Sequence, residues 1–435
     1  MPTHSFQAQQ LNHTLQSQNP SIFSLLSEKG THSFFPKEGI VAQSAQAKGK
    51  KYDATIGVAL ADNGEPLHIS AMQEKISLSP KDIYLYASSY GVPQLRQEWQ
   101  KRIYAQNPSL KNNPISLPIV ANGLTHALQI AGHLFINKDD IIITPDLFWG
   151  NYKLIYEHTH HAQLQTFPFF IDNKFNLDGF KNIIQNQKKQ KKIILLNFPN
   201  NPTCYTPTTE EAKEIVNIIT ADAQAGNHLL VICDDAYFGF FYEQETFKES
   251  LFSLLANAHP NILAIKIDGA SKELYAWGLR VAFLTYGSKD ISAQTITALE
   301  EKTAGALRGS ISNSSQLSQM LVLHALQNKK TISDQKNHFT LLQSRYHTIK
   351  QTIADPKYSD LFTAIPCNSG YFLCIQPKDK NIDPESLRQL LLQKYDTGVI
   401  TQNKMIRIAF SSLAEDKISA VIENIASAIT ELHQN

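Results

Sequence analysis

The groups in this chain that could do chemistry follow three short apolar runs, each typical of a buried strand. The first run leads into a turn rich in Asn and Pro, residues 199–203. The second delivers Asp234 and Tyr237, and the third delivers Lys272, with Arg280 a little further on. Because the carboxyl ends of parallel strands lie at one edge of a sheet, we expect these groups to meet. An amine held beside a carboxylate and a phenol is suited to covalent catalysis.

Strands that alternate with helices would position these groups. The apolar runs are Ile141–Thr144, Lys192–Phe198, Leu229–Cys233, Ile262–Ile267 and Val281–Tyr286. Between them lie amphipathic stretches such as Thr209–Ala225, which opens with the helix-capping pattern Thr-Thr-Glu-Glu. Strands that are apolar nearly throughout predict an α/β fold with a mainly parallel sheet between helices.

The pattern changes beyond about residue 325, where a polar helical stretch leads to a further helix and a final strand, Met405–Phe410. This change predicts a smaller α+β domain, because 435 residues are too many for one ordinary core. The predicted division is an N-terminal segment contributing to the small domain (1–69), a large domain (70–325) and a C-terminal small domain (326–435).

Charge and cysteine content exclude several classes of protein. The chain has 40 Lys+Arg against 39 Asp+Glu, so no net field would attract nucleic acid or an anionic membrane. Two short basic stretches, Lys48–Lys51 and Lys188–Lys192, are predicted to be solvated turns. The four cysteines have no metal-ligand spacing, and neither a signal peptide nor a bilayer-spanning run is visible. These features favour a reduced, cytoplasmic protein.

In their order and spacing, the motifs resemble those of the class I/II aminotransferases, which use pyridoxal 5′-phosphate (PLP), and within them the aspartate aminotransferase group. The resemblance runs from about Thr55 to Phe410 and implies the PLP-dependent fold type I. Lys272 stands where the family forms its Schiff base with PLP. Asp234 matches the carboxylate that keeps the pyridine nitrogen protonated, so that the ring can accept electrons.

Other positions match further cofactor contacts of that family. Asn201 and Tyr237 match the pair that hydrogen-bonds the ring's phenolic oxygen, and Arg280 matches a phosphate ligand. The segment Gly123-Leu124-Thr125 resembles the loop whose backbone N–H groups hold the phosphate at a helix N-terminus. The remaining implied contacts are Ser271 beside the lysine, Trp149 stacked on the ring with Phe148 as the alternative, and Tyr86, similar to a tyrosine that the partner subunit of a homodimer contributes.

The resemblance also implies where a substrate binds. Arg407, in an otherwise apolar run, matches the ligand of the α-carboxylate, and burying it without an anion would be costly. Arg308 matches the arginine that reaches a distal carboxylate from the other subunit, and Gly57 lies in a segment similar to that group's N-terminal active-site segment. These matches favour an aspartate- or glutamate-like donor, whose amino group passes to a 2-oxo acid in two half-reactions.

Several alternatives stay open. Arg308 also fits a surface residue, and aromatic or neutral amino donors would suit the same motifs. A PLP-dependent lyase or decarboxylase on this fold would keep Lys272, Asp234 and Tyr237. A DNA-binding sensor would need a basic helix-turn-helix segment, which the sequence lacks. The sequence His158 to His161 contains three histidines but no carboxylate, so no metal site is predicted.

Four positions depart from the family pattern. Cys204 and Ala282 replace glycines, Gly269 replaces a phosphate-binding serine, and Ser314-Ser315 replaces a Pro-Pro pair. None of these changes removes a catalytic group. Together they suggest an outlying branch, and they leave its substrate open.

Overall fold

The computed structural model describes residues 5–34 and 39–434, without the side chain of Val41, and it has an α/β architecture. The α-helices are α1 Phe6–Gln18, α2 Pro20–Phe23, α3 Glu28–His32, α4 Ile40–Ala47, α5 Ser70–Gln73, α6 Pro80–Ile83, α7 Pro93–Gln106, α8 Leu124–Phe135, α9 Leu177–Asn186, α10 Thr209–Gln224, α11 Leu251–Leu255, α12 Ala270–Glu273, α13 Ala293–Ser310, α14 Gln316–Gln327, α15 Lys330–Ile353, α16 Pro384–Lys394 and α17 Ile418–Gln434. The strands are β1 Tyr52–Asp53, β2 Ile119–Asn122, β3 Ile141–Pro145, β4 Gln163–Phe167, β5 Phe170–Ile171, β6 Lys174–Phe175, β7 Lys191–Asn197, β8 His228–Asp234, β9 Ile262–Gly269, β10 Val281–Gly287, β11 Phe362–Ala364, β12 Phe372–Pro377, β13 Thr397–Gly398, β14 Ile400–Gln402 and β15 Met405–Ala409.

A seven-stranded sheet in the order β2-β10-β9-β8-β7-β3-β4 forms the centre of the molecule. The strands from β9 to β4 pair in parallel, whereas β10 runs antiparallel to both β9 and β2. β7, β8 and β9 are buried along nearly their whole length. Such burial is expected of parallel strands that helices cover on both faces. The predicted fold class, with a mainly parallel sheet, is confirmed.

Two apolar cores lie on opposite faces of this sheet. Because successive side chains of a strand point to opposite faces, Ile194 and Val231 belong to one core while Ile193 and Ile232 belong to the other. Burying one such side chain fully contributes about 1.5–3 kcal/mol relative to leaving it exposed. Apolar packing on both faces therefore fixes the position of the carboxyl edge of the sheet.

A second sheet is antiparallel, in the order β11-β12-β15-β14. The short strand β1 pairs in parallel with β13, with Tyr52 opposite Thr397. Residues from the first part of the chain therefore join this C-terminal region, as the sequence suggests, although the boundaries at residues 70 and 325 stay a prediction. Within residues 5–34 and 39–434, the helices are too short or too polar to cross a lipid bilayer.

Two buried lysines correct the sequence interpretation. The basic stretch Lys188–Lys192 is not a solvated turn throughout, because its last two residues begin β7 and Lys192 is buried. The Lys192 ammonium lies 2.6 Å from Asp222 Oδ1 and donates to the Ile184 carbonyl at 2.8 Å. The apolar run that became β9 also contains a buried charge, Lys266. Both lysines are tolerated because carboxylates compensate them.

Candidate active site

Side chains that follow β7, β8 and β9 meet around one cavity of about 180 Å³ at the carboxyl edge of the large sheet. Asn197 and Ala236 line part of it. The rest of its lining consists of positions predicted from the sequence, namely Leu124, Thr125, Trp149, Asn201, Asp234, Tyr237, Lys272 and Arg280. The cavity thus combines an amine, a carboxylate, a phenol and a guanidinium in one small space.

Lys272 lies in α12, directly after β9, with its amine 4.9 Å from the centroid of the Tyr237 ring. Burial lowers the pKa of Lys272 to about 8, and the positive charge of Arg280 adds to the shift. The negative charge of Asp234 acts in the opposite direction. A substantial fraction of this amine is therefore neutral, and nucleophilic, in mildly alkaline solution.

Asp234 is a buried carboxylate that two neutral donors hold in place. The Tyr152 hydroxyl donates to Oδ2 at 2.5 Å, and the Ala236 N–H donates to Oδ1 at 3.1 Å. Burial raises the pKa of Asp234, while the Tyr152 hydrogen bond and the charge of Lys272 oppose that rise. A cation in the cavity would stabilise the ionised carboxylate further.

Tyr152 and Asn197 are site residues that the sequence analysis missed. The Asn197 side chain donates to the Asp234 carbonyl at 2.7 Å and accepts the Asn201 N–H at 2.7 Å, which links two predicted residues. Tyr152 follows Trp149 by three residues, and the two rings meet edge to face with centroids 5.7 Å apart. The spacing of three residues from Trp149 could have pointed to Tyr152. Nothing in the sequence pointed to Asn197, which is the last residue of an apolar strand.

One end of the cavity is built for an anion. Gly123 precedes α8 with φ +82°, and a Cβ at this position would lie 2.2 Å from Arg280 Nη2, so the close approach requires glycine. No side chain caps α8, and free N–H groups at a helix N-terminus attract anions. Ser271 is buried, and its hydroxyl has no hydrogen-bond partner within the described residues.

A second guanidinium, that of Arg407, lies near the Tyr237 phenol. Arg407 on β15 donates to Asn201 Oδ1 at 3.1 Å and to the Thr55 carbonyl at 2.9 Å. It lies 4.1 Å from the centroid of the Phe372 ring. Among the described residues Arg407 has no ion-pair partner, and its Nε donates no hydrogen bond. A buried guanidinium compensated only by neutral groups favours an anionic ligand.

Tyr237 and Gly57 lie beside Arg407. Burial raises the pKa of Tyr237, although the charge of Arg407 opposes that rise. A Cβ at Gly57 would lie 3.1 Å from the Tyr237 hydroxyl and 3.0 Å from Phe372 Cζ. Glycine therefore keeps this wall of the site close to the phenol without displacing it.

Trp149, rather than Phe148, lines the cavity among the described residues. The Phe148 ring stacks instead near Tyr152, with centroids 6.3 Å apart. This arrangement agrees with the choice of Trp149 as the ring that faces a bound cofactor, a role that stays a prediction.

Tyr86 and Arg308 do not reach the cavity of their own chain. Tyr86 is 92% exposed, and Arg308 is exposed at the end of α13, where it donates to Ser312 Oγ at 3.1 Å. Ser89 donates to the Ser312 carbonyl at 2.8 Å, so the two segments lie next to each other on one surface. Such placement is what a contribution to a neighbouring subunit would need.

The departures from the family pattern have local physical reasons. Cys204 has φ +55°, a left-handed conformation that usually favours glycine. Its sulfur accepts the N–H groups of Tyr371 and Phe372 at 3.2 and 3.1 Å, which compensates the strain. Gly269 and Ala282 are cross-strand partners in β9 and β10, so these two departures form one pair.

The serines that replace the Pro-Pro pair also have defined roles. Ser314 donates to the Val120 carbonyl at 3.0 Å, which ties this segment to β2. Ser315 caps α14 by accepting the Ser318 N–H at 3.3 Å. Neither serine lines the cavity.

Comparison with known proteins assigns the family. The model of the family described as aminotransferase class I and II matches residues 51–425, so the chain belongs to that family. An aspartate aminotransferase from Geobacillus stearothermophilus is 26% identical over 58% of this chain and 61% of its own length. An LL-diaminopimelate aminotransferase from Methanocaldococcus jannaschii is 27% identical over 43% of this chain and 46% of its own length. The chain thus spans about three fifths of the length of the first of these curated relatives and about half of the second.

A crystal structure supports the fold independently. An aminotransferase from Anaerococcus prevotii superposes with a TM-score of 0.81, at 24% identity, over 93% of this chain and 98% of that chain. At this level of identity the likeness concerns the fold alone. The resemblance to class I/II aminotransferases and the predicted fold type I are confirmed.

Proposed function

We propose that this protein is a PLP-dependent aminotransferase that moves an amino group between an amino acid and a 2-oxo acid. The observation that carries the proposal is the cavity that Lys272, Asp234 and Arg280 line together. A second guanidinium, that of Arg407, donates to Asn201, which lines the same cavity. One guanidinium suits a phosphate and the other suits a carboxylate, and the amine and the Asp234 carboxylate share the cavity.

The residues present fit PLP. The glycine-enforced contact between Gly123 and Arg280, together with the partnerless hydroxyl of buried Ser271, offers donors to a phosphate. Asp234 offers an anionic partner for a protonated ring nitrogen, and Asn201 and Tyr237 offer donors to a phenolic oxygen. Trp149 would stack on the ring, and the N–H groups of Leu124 and Thr125 would join the phosphate site. When bound, PLP would supply an electron sink for the charge left on the substrate's Cα.

The protein's own groups would divide the remaining work. Arg407 would hold the α-carboxylate and so align the Cα–H bond. The Lys272 amine, with its pKa lowered to about 8, would accept the proton from Cα and return it at a later stage. Asp234, supported by Tyr152, would hold the proton of the ring nitrogen.

A dicarboxylic amino acid such as aspartate or glutamate is our preferred substrate. Support comes from Arg308, which lies on the same surface as Tyr86, and from the aspartate aminotransferase relatives. An arginine reaching from a second subunit would pair with the distal carboxylate. Gly57 would leave space for the substrate beside Tyr237.

We further propose a cytoplasmic homodimer whose subunits share their active sites. The segment that carries Tyr86 also exposes Ile76, Tyr84 and Leu85, which are 67%, 81% and 64% accessible. An exposed apolar patch of this kind is typical of an interaction surface. In this arrangement Tyr86 would reach the phosphate in the neighbouring subunit.

The activity is tested with a panel of amino donors against 2-oxoglutarate and pyruvate, read by formation of the new amino acid. We expect amino-group transfer that depends on both substrates. An aminotransferase without a 2-oxo acid stops after one half-reaction, at one product molecule per site. Repeated turnover of an amino acid without any 2-oxo acid would instead indicate a lyase or a decarboxylase and would contradict the proposal.

The substrate class is tested with Arg308→Ala. Loss of a desolvated, charge-assisted pair costs about 2–5 kcal/mol, so kcat/KM for aspartate and glutamate should fall roughly thirty-fold to several-thousand-fold. Values for alanine and phenylalanine should change little. Arg407→Ala is the matched control, because it should impair all four substrates alike. Equal losses for all four in Arg308→Ala would make that arginine structural.

A further inference from the structure

A buried ion cluster lies at the carboxyl ends of β8 and β9, beside the segments that carry Asp234 and Lys272. It takes no direct part in the chemistry proposed above. Lys266, in the middle of β9, has no exposed surface. Its ammonium contacts Asp235 Oδ2 and lies 3.1 Å from Asp268 Oδ2. The cluster continues through Asp268, whose other oxygen accepts the Trp99 indole N–H at 3.0 Å. We call Lys266, Asp235 and Asp268 the strand-end triad.

An apolar residue would be the expected occupant of this position. The neighbouring side chains of β7, β8 and β9 are almost entirely apolar, and β9 is buried along nearly its whole length. Replacing a buried ion pair by apolar residues is often neutral or even stabilising, so stability alone gives no reason for a lysine here. The positions of its two partners suggest a different reason.

The two carboxylates of the triad belong to the segments that carry Asp234 and Lys272. Asp235 directly follows Asp234, and its N–H donates to the Ile267 carbonyl at 2.8 Å. The Lys266 ammonium also lies 4.5 Å from the centroid of the Phe238 ring, directly after Tyr237. On the neighbouring strand, Asp268 begins the short stretch that leads to Lys272. Lys266 therefore joins the two segments that carry the catalytic groups.

A second ion pair fixes the far side of Lys272. Glu273 directly follows the lysine, and its Oε2 lies 3.1 Å from Arg102 Nη2. Arg102 lies on α7, the helix that also provides Trp99. Burial raises the pKa of Glu273, and the positive charge of Arg102 opposes that rise. One helix thus holds both ends of the stretch from Asp268 to Glu273.

We propose that Lys266 is a positioning residue, which sets the relative position of the Asp234 carboxylate and the Lys272 amine through its ion pairs with Asp235 and Asp268. The inference rests on the proposed role of Lys272 as the cofactor lysine. The groups that act on the Lys272 amine are Asp234 and Arg280, with the Tyr237 ring beside it. A change in the distance from Asp234 to Lys272 would therefore change the titration of that amine.

The test compares Lys266→Met with a matched control, Lys192→Met. Lys192 forms a buried pair with Asp222 in the same sheet, but at the amino end of β7, opposite Leu229. The primary measurement is the pH dependence of Lys272 acylation in the cofactor-free protein, mapped by mass spectrometry. Thermal unfolding and the pH titration of the absorbance of bound PLP are measured in parallel.

For Lys266→Met we expect the midpoint of the Lys272 titration to move by about half a pH unit or more, with at least a roughly tenfold loss in kcat. Lys192→Met should change the unfolding temperature only. If Lys266→Met does not fold, Asp235→Asn is the second variant. It keeps the shape of the triad while removing one charge, and it should also move the midpoint of the Lys272 titration.

A folded Lys266→Met or Asp235→Asn variant whose Lys272 midpoint equals that of the wild type would overturn the inference. A shift of the same size in Lys192→Met would overturn it as well, since the effect would then be general to buried ion pairs. Failure of the proposed role of Lys272 as the cofactor lysine looks different, because wild-type protein would then show no absorbance from PLP bound to Lys272.

Discussion

At the scale of single residues, burial rather than residue type decides the chemistry of the cavity. The same lysine on the surface would stay protonated, whereas burial lowers the pKa of Lys272 to about 8. Burial has the opposite effect on Asp234, because it raises the pKa of this carboxyl. The hydrogen bond from Tyr152 and the positive charge of Lys272 oppose that rise. Each group therefore depends on the other, and Tyr152 completes the arrangement.

We expect Tyr152→Phe to weaken PLP binding without unfolding the protein. The hydroxyl donates to Asp234 at 2.5 Å, and a hydrogen bond to a charged group contributes about 1.5–3 kcal/mol. The dissociation constant of PLP should rise roughly ten- to hundredfold, as measured by fluorescence titration of the cofactor-free protein.

The control for this variant is Tyr156→Phe. Tyr156 is equally buried, but within the described part of the chain its hydroxyl donates only to the Leu128 carbonyl, at 3.4 Å. PLP affinity should stay near the wild-type value in this variant. If the two variants lost affinity equally, Tyr152 would act through general packing rather than through Asp234.

At the scale of the elements, the close approach of β9 and β10 explains why position 269 is a glycine rather than a serine with a hydroxyl group. A Cβ at Gly269 would lie 2.7 Å from the Val281 carbonyl oxygen and 2.8 Å from Ala282 Cα. These contacts are with backbone atoms, so a larger residue can be accommodated only if the strands move apart. The serine usual at this place in the family would not fit the present spacing.

Gly269→Ser should therefore destabilise the protein by about 1–3 kcal/mol, the range for overpacking a tight site. Adding Ala282→Gly should recover only part of the loss, because the two closest contacts belong to the backbone. Urea unfolding of the single and double variants measures both values. Unchanged stability in Gly269→Ser would show that the strands separate freely.

The sequence predicts the elements and the site to different extents. The strand runs and the order of the motifs are local patterns in the sequence. They were enough to predict the parallel sheet and the meeting of Lys272, Asp234 and Arg280, which line one cavity. Lys266 escaped prediction because one lysine in an apolar run says nothing about the carboxylates that pack against it. Tyr152 escaped because its partner, Asp234, is distant in sequence and close only in the fold.

At the scale of the whole molecule, one chain holds most of the cavity but not all of the predicted contacts. Tyr86 and Arg308 lie on a shared outer surface, next to exposed apolar residues. In the proposed shared site, a second copy of the chain would supply these two contacts. Symmetric pairing would place the same surface of each subunit over the cavity of the other.

Mixed dimers test this arrangement. Lys272→Ala and Tyr86→Phe should each be impaired alone, but a hybrid of the two should contain one intact site. After random reassortment of equal amounts, activity should approach about one quarter of the wild-type value, since half of the dimers are hybrids with one working site. An active monomer in sedimentation equilibrium, or no recovery on mixing, would contradict shared sites.

The central claim is that Lys272 is the lysine that holds PLP, and its most direct test is chemical mapping. Protein loaded with PLP is reduced with borohydride, digested and analysed by mass spectrometry. We expect the cofactor-derived mass on the peptide that contains Lys272. In Lys272→Ala, we expect both this adduct and the yellow colour of lysine-bound PLP to be absent. Attachment to any other lysine of the wild-type protein would contradict the account.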